Sequence, residues 1–158
     1  MLSRIAAIAL GLFTWGSVAA CAHHMDQAAQ SALTWNFHVY GDEAKLAYGQ
    51  PNSDLVGVML TCQRGAGSVM VSSDVSRGKP QLVLASGETK LRLTGPAEAD
   101  PYTGGVYLQA RAPARAPALR QFAETGDLRL VRDLRDTEMN ASPAAKGDIR
   151  RFFAHCEA

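Results

Sequence analysis

The sequence predicts a mainly β domain: an antiparallel sandwich or flattened barrel of about seven to nine strands with two short helices, the second at the C-terminus. Three observations predict it. Short apolar or alternating runs recur along the chain between clusters of turn residues, and 14 Gly and 7 Pro suit many turns. Two segments alone carry helical spacing, both in the last third. The run Leu55-Val56-Gly57-Val58-Met59-Leu60-Thr61-Cys62 ends in a cysteine, and Cys156 on the last helical stripe is the one other cysteine beyond the N-terminal segment. A Cys62–Cys156 disulfide would tie a central strand to the terminal helix.

In chain order, residues 1–20 have the layout of a secretory signal peptide. Arg4 gives a charged start, Ile5 to Val18 is uncharged and largely apolar, and Ala19 and Ala20 are small. The stretch is at the short limit for a membrane span. Val18-Ala19-Ala20-Cys21 resembles a bacterial lipobox, with valine where leucine is usual. That resemblance implies lipid modification of Cys21, which also disposes of the odd thiol among 3 cysteines. Ala22 is not the aspartate associated with inner-membrane retention, so the resemblance implies an outer-membrane lipoprotein facing the periplasm. Ordinary cleavage after Ala20 or Ala22 would instead give a soluble periplasmic protein. Residues 21–32 read as a flexible tether, and 33–158 as a single β-rich domain.

Within that domain, Trp35, Phe37 and Val39 alternate with Thr34, Asn36, His38 and Tyr40, the pattern of a half-buried strand. Gly41-Asp42 ends it. Ala44 to Tyr48 is a second strand, closed by the turn cluster Gly49 to Asp54. In the run that follows, Val56, Val58, Leu60 and Cys62 share one face and Leu55 and Met59 the other, which predicts a strand covered on both sides. Its eight residues and internal Gly57 favour strand over helix. Gln63 to Gly67 is a turn, and Ser68 to Ser72 its hairpin partner. Gly65-Ala66-Gly67 begins like a dinucleotide fingerprint, but Met70 replaces the third glycine.

Gln81–Ala85 and Lys90–Thr94 predict paired strands, with Leu91 and Leu93 on one side and Lys90, Arg92 and Thr94 on the other. Residues 95–105 read as a loop, Val106–Arg111 as a strand and 112–117 as a proline-rich connector. Pro117 suits the start of a helix carrying Leu119, Phe122 and Ala123, and Gly126 its end. A strand from Leu128 to Val131 follows. Ser142 is the expected cap of the last helix, with Pro143 at its first position. There Ile149, Phe152, Phe153 and Cys156 fall at i, i+3, i+4 and i+7, one apolar stripe. These residues, with Cys62, resemble a loose group of small secreted bacterial β-rich proteins that end in an amphipathic helix with a terminal cysteine. The resemblance implies an envelope location and a β core, and no chemistry.

Charge excludes one class of partner. Loss of the leader removes Arg4, so 16 basic residues become 15 against 15 acidic. A chain near zero net charge lacks the basic surplus that nucleic acid requires. The chemistry-bearing motifs are sparse. There is no Gly-x-Ser-x-Gly elbow, no Cys-x-x-Cys and no His-Glu-x-x-His, so neither a catalytic set, a metal site nor a cofactor is expected. Of the 4 histidines, His23 and His24 lie in the tether, where a free amine at Cys21 would make a copper(II) site, and His38 lies on a polar strand face. His155 adjoins Cys156, but neighbours on a helix point about 100° apart, against a nucleophile pair. Arg129, Arg132 and Arg135 interleave with Asp127, Asp133 and Asp136 as a self-neutralised surface.

The expectation is therefore a non-catalytic envelope lipoprotein or periplasmic binding module, held to the membrane by a lipid and taking a protein or small-molecule ligand. A second expectation comes from resemblance to small periplasmic lipoproteins that inhibit lysozyme, which are also β-rich, anchored and disulfide-bonded. A loop of Tyr102, Thr103, Gly104, Gly105 and Tyr107 would then insert into a partner, since tyrosines beside glycines make adaptable contacts. A secreted enzyme stands third.

Overall fold

The first four strands form a meander because each alternating run ends where glycine or a turn cluster reverses the chain. In the computed structural model, which describes residues 33–76, 80–99, 105–132 and 136–158, these strands are β1 (Thr34–Tyr40), β2 (Glu43–Gly49), β3 (Val56–Gln63) and β4 (Ser68–Val75). Gly41-Asp42 joins β1 to β2 as a two-residue hairpin, with Gly41 at φ 60°. The β3–β4 turn has Gly65 and Gly67 at φ 67° and 63°, as a tight reversal demands.

The chain then crosses to a second sheet through β5 (Leu82–Ser86) and β6 (Thr89–Leu93). It returns through β7 (Ala97–Ala99) and β8 (Val106–Pro113), then enters α1 (Pro117–Thr125), β9 (Arg129–Val131), β10 (Thr137–Glu138) and α2 (Pro143–Glu157). All pairings are antiparallel. One sheet has six strands in the order β1-β2-β3-β4-β8-β7 and the other four in the order β10-β9-β5-β6. The result is sandwich-like and not a closed barrel.

The fold class matches the sequence expectation, with ten described strands against about seven to nine. The additions are short: β7 lies inside the expected 95–105 loop, and β10 has two residues. Two or three residues give too little pattern to read. The connector expected at 112–117 is also shorter, because β8 runs on to Pro113, which pairs with Ser68.

One expectation is corrected. β3 is the third of six strands, yet it is covered on one face only. Val58, Leu60 and Cys62 are buried, Met59 is half-buried, and Leu55, just before the strand, is 58% exposed. The strand buried throughout is β5, where all five residues of Leu-Val-Leu-Ala-Ser are covered. An unbroken apolar run predicts double coverage only when something packs on each side, and the sequence does not say what does.

The core lies where both helices meet the inward faces of the sheets. α1 begins at Pro117 and ends at Gly126, whose φ of 80° lets its N–H reach the Phe122 carbonyl at 2.8 Å. Ser142 caps α2 by accepting from the Ala145 N–H at 3.2 Å. Ile149, Phe152, Phe153 and Cys156 are buried, so the stripe faces the core as its spacing predicts. Trp35 joins the layers. Its ring stands 4.8 Å from that of Phe122, and its Nε1–H donates to the Met139 carbonyl at 2.8 Å. A buried indole needs such an acceptor.

Candidate functional site

The two sides of the four-stranded sheet differ in what they carry. Cross-strand register sets the inward side: Leu84 stands opposite Leu91 and Leu130, all toward the helices. Successive strand residues alternate faces, so Val83, Ala85, Lys90, Arg92, Arg129 and Val131 project outward. One outward row reads Arg92, Val83, Val131, and the next Lys90, Ala85, Arg129, Glu138. The middle strand thus gives small apolar side chains, and both flanking strands give long cationic ones. Val83 and Ala85 are buried at 8% and 1%, and neither joins the main core cluster. Val83 forms the floor of a trough, and Ala85 lines a separate, smaller hollow with Ser86 and Arg129.

The trough encloses about 400 Å³ and is lined by Asp74, Val75, Ser76, Gln81, Val83, Lys90, Arg92, Leu130, Val131 and Arg132. The end of β4 supplies its rim. Arg92 donates to the Gln81 Oε1 at 3.3 Å. Charge is distributed unevenly along the face. Toward β10, Arg129 pairs with Asp136 at 3.5 Å and stands opposite Glu138. Toward β4, among the described residues, Lys90 and Arg132 have no ion-pair partner and Asp74 is the single carboxylate of the lining. Among the described residues the lining has neither histidine nor cysteine. It pairs a cationic wall with an apolar floor, an arrangement suited to holding an anion.

The other sequence candidates lie elsewhere. Cys62 and Cys156 form the disulfide, with Cα atoms 5.7 Å apart, which removes any Cys156–His155 nucleophile. The His155 Nε2–H donates to the Asp42 carbonyl at 2.9 Å, in the β1–β2 turn. His38 is exposed on its polar face and stacks near Tyr40 at 6.3 Å. Cys21, His23, His24, Tyr102, Thr103, Gly104, Asp133 and Arg135 lie outside the described residues. Gly105 and Tyr107 flank the start of β8, and Tyr107 is half-buried opposite Asp74 and Glu98. The base of that expected loop therefore adjoins the trough's rim through Asp74. Among the described residues no group of three His, Cys, Asp or Glu could hold a metal, and no helix is long and apolar enough to cross a membrane.

Sequence reasoning separated Lys90 and Arg92 from Leu91 and Leu93, which was the available signal. It missed the trough because the pairing of β5 with β9, from which Arg132 leads, joins segments some 46 residues apart. Of the expected self-neutralised surface, Arg129 pairs with Asp136, which also accepts from the Arg132 N–H, while Asp133 and Arg135 lie outside the described residues. No family model, curated protein or solved structure matches this chain, so the function is argued from the site itself.

Proposed function

We propose that the protein is a non-catalytic binding module of the cell envelope, exported by its leader and held to the outer membrane through a lipid on Cys21. The single observation that supports a binding role is the trough on the four-stranded sheet. Its volume of about 400 Å³ falls within the usual range for small-molecule sites, and few polar groups converge on an apolar floor. The disulfide is compatible with an oxidising compartment. Net charge near zero argues against nucleic acid.

The binding role is tested by melting the disulfide-intact protein against an unbiased panel of small metabolites. A ligand at one hundred times its Kd adds about 2.7 kcal/mol, several degrees in a domain of this size. A panel with no stabilising member at millimolar concentration overturns the binding role. The anchor is tested separately by mass spectrometry of the mature N-terminus. A lipidated Cys21 is expected, and an unmodified Cys21 or a start at His23 overturns it.

A further inference from the structure

We propose that the trough takes a small organic anion, with its carboxylate, sulfonate or phosphate group between Lys90, Arg92 and Arg132 and its apolar body on Val83 and Val131. This rests on the binding-module reading and gives it a ligand class. β6 and β9 flank β5, so their outward side chains rise about 10 Å apart, two strand spacings. Lysine and arginine stems lie along apolar surface while their charged heads reach past it. Lys90 and Arg92 on β6 and Arg132, just past β9, line the same cavity beside that floor, at a span a small ligand can bridge.

Charge distribution distinguishes this trough from an ordinary solvated face. A solvated face intersperses acids with bases, and the half of this sheet nearest β10 does so through Arg129, Asp136 and Glu138. The half nearest β4 does not. Lys90 and Arg92 sit on one strand with no acid between them and Arg132 follows β9; among the described residues Asp74 is the one carboxylate of the lining, and the Asp136 carboxylate accepts from the Arg132 backbone N–H at 3.3 Å without pairing its guanidinium. A metal ion is excluded by three cations against one carboxylate. A long polyanion is disfavoured because the chain has no basic surplus beyond this cluster. A guanidinium already steadied by Gln81 adds a planar donor fork suited to an oxyanion. The apolar floor then selects organic anions over inorganic ones.

The test compares two fluorescent probes that share a ring system, 8-anilinonaphthalene-1-sulfonate and the uncharged N-phenyl-1-naphthylamine. Both are titrated into the disulfide-intact protein. The sulfonate is expected to bind saturably and more weakly as salt rises, while the uncharged probe binds at least tenfold less well. The double variant Lys90→Gln/Arg132→Gln should lose at least tenfold in sulfonate affinity. Arg115→Gln, which changes a charge beside α2, should change it less than twofold. If the double variant melts early, Lys90→Glu at an exposed position gives the same readout. Equal binding of both probes, unchanged affinity in the variants, or no sulfonate binding overturns the anion assignment. The binding-module reading survives those results if the metabolite panel still contains a stabilising ligand, so the two failures are distinguishable.

Discussion

At the end of α2, neighbouring turns meet the polar groups that the helix leaves open. On the outward face of the four-stranded sheet, Lys90 and Arg132 have no ion-pair partner among the described residues. The Gly65 N–H donates to the His155 carbonyl at 3.1 Å and the Gly67 N–H to the Cys156 carbonyl at 2.9 Å. Those are the carbonyls a helix terminus cannot satisfy itself. The His155 ring reaches back to Asp42, Arg115 pairs with Glu157 at 3.1 Å, and the disulfide closes the same corner. In the trough, the bond between described lining side chains is that of Arg92 to Gln81. The difference teaches where stability and binding reside: a group already partnered holds the fold, and one without a partner is available to a ligand.

Loss of the disulfide has the largest expected effect. Cys62 and Cys156 are 94 residues apart, and closing a loop of that length stabilises by about 4–5 kcal/mol at most in the chain-entropy model. Reduction should lower the melting temperature substantially and expose α2 to proteolysis. Unchanged melting under reductant would remove the corner's special status. Phe152→Ala is expected to cost about 3–5 kcal/mol by chemical denaturation, because the ring is fully buried edge-on to Phe37 and Phe153. A loss below 1 kcal/mol would mean that the helix is held by its end alone.

Gly65→Ala probes the corner without touching the core. The residue sits at φ 67°, and a Cβ there would stand 2.9 Å from the Ala158 carbonyl oxygen. The left-handed conformation costs about 1–2 kcal/mol for a residue with a side chain, and melting should fall by a few degrees. Tyr48 gives a check confined to alkaline pH. Burial pushes its phenol above the ordinary value of 10.0, and its ring packs 5.3 Å from Trp35. The neutral phenol is favoured in the folded state, so its contribution is complete below about pH 10 and is lost as pH rises through the folded pKa. Stability should decline there, and Tyr48→Phe should flatten that decline. The smallest effect belongs to the trough. Lys90→Gln/Arg132→Gln should change stability by no more than about 0.5 kcal/mol, and a larger loss would show that these cations serve the fold.

How much was legible follows from the range of each interaction. Ser142-Pro143, the Ile149–Cys156 stripe and the Gly65-Ala66-Gly67 turn were readable because cap, helical period and turn chemistry are local. The disulfide was readable by elimination among few cysteines. The double burial of β5 was not, because only the register with β6 and β9 sets what stands alongside Val83 and Ala85. Trp35 was legible as inward-facing, but its acceptor on Met139 is 104 residues away. The trough combined both difficulties. Its cations were visible as outward-facing positions on β6, while their convergence with Arg132 and the rim at Asp74 depends on two sheet crossings.

The corner at Cys156 also governs how the protein would bear a mechanical load. With the disulfide closed, a pull between Leu33 and Ala158 has a covalent route through residues 33–62, across the sulfur bridge, and out through residues 156–158. At roughly 3.3–3.6 Å per residue, that route extends to only about 110 Å, against about 430 Å when the bridge is reduced. Residues 63–155, which include the whole trough, lie off the loaded path as a side ring. β1, β2 and part of β3 would give way as a short spring while the cationic face keeps its covalent surroundings unstretched. Single-molecule extension with and without reductant should show that roughly fourfold difference in fully extended length.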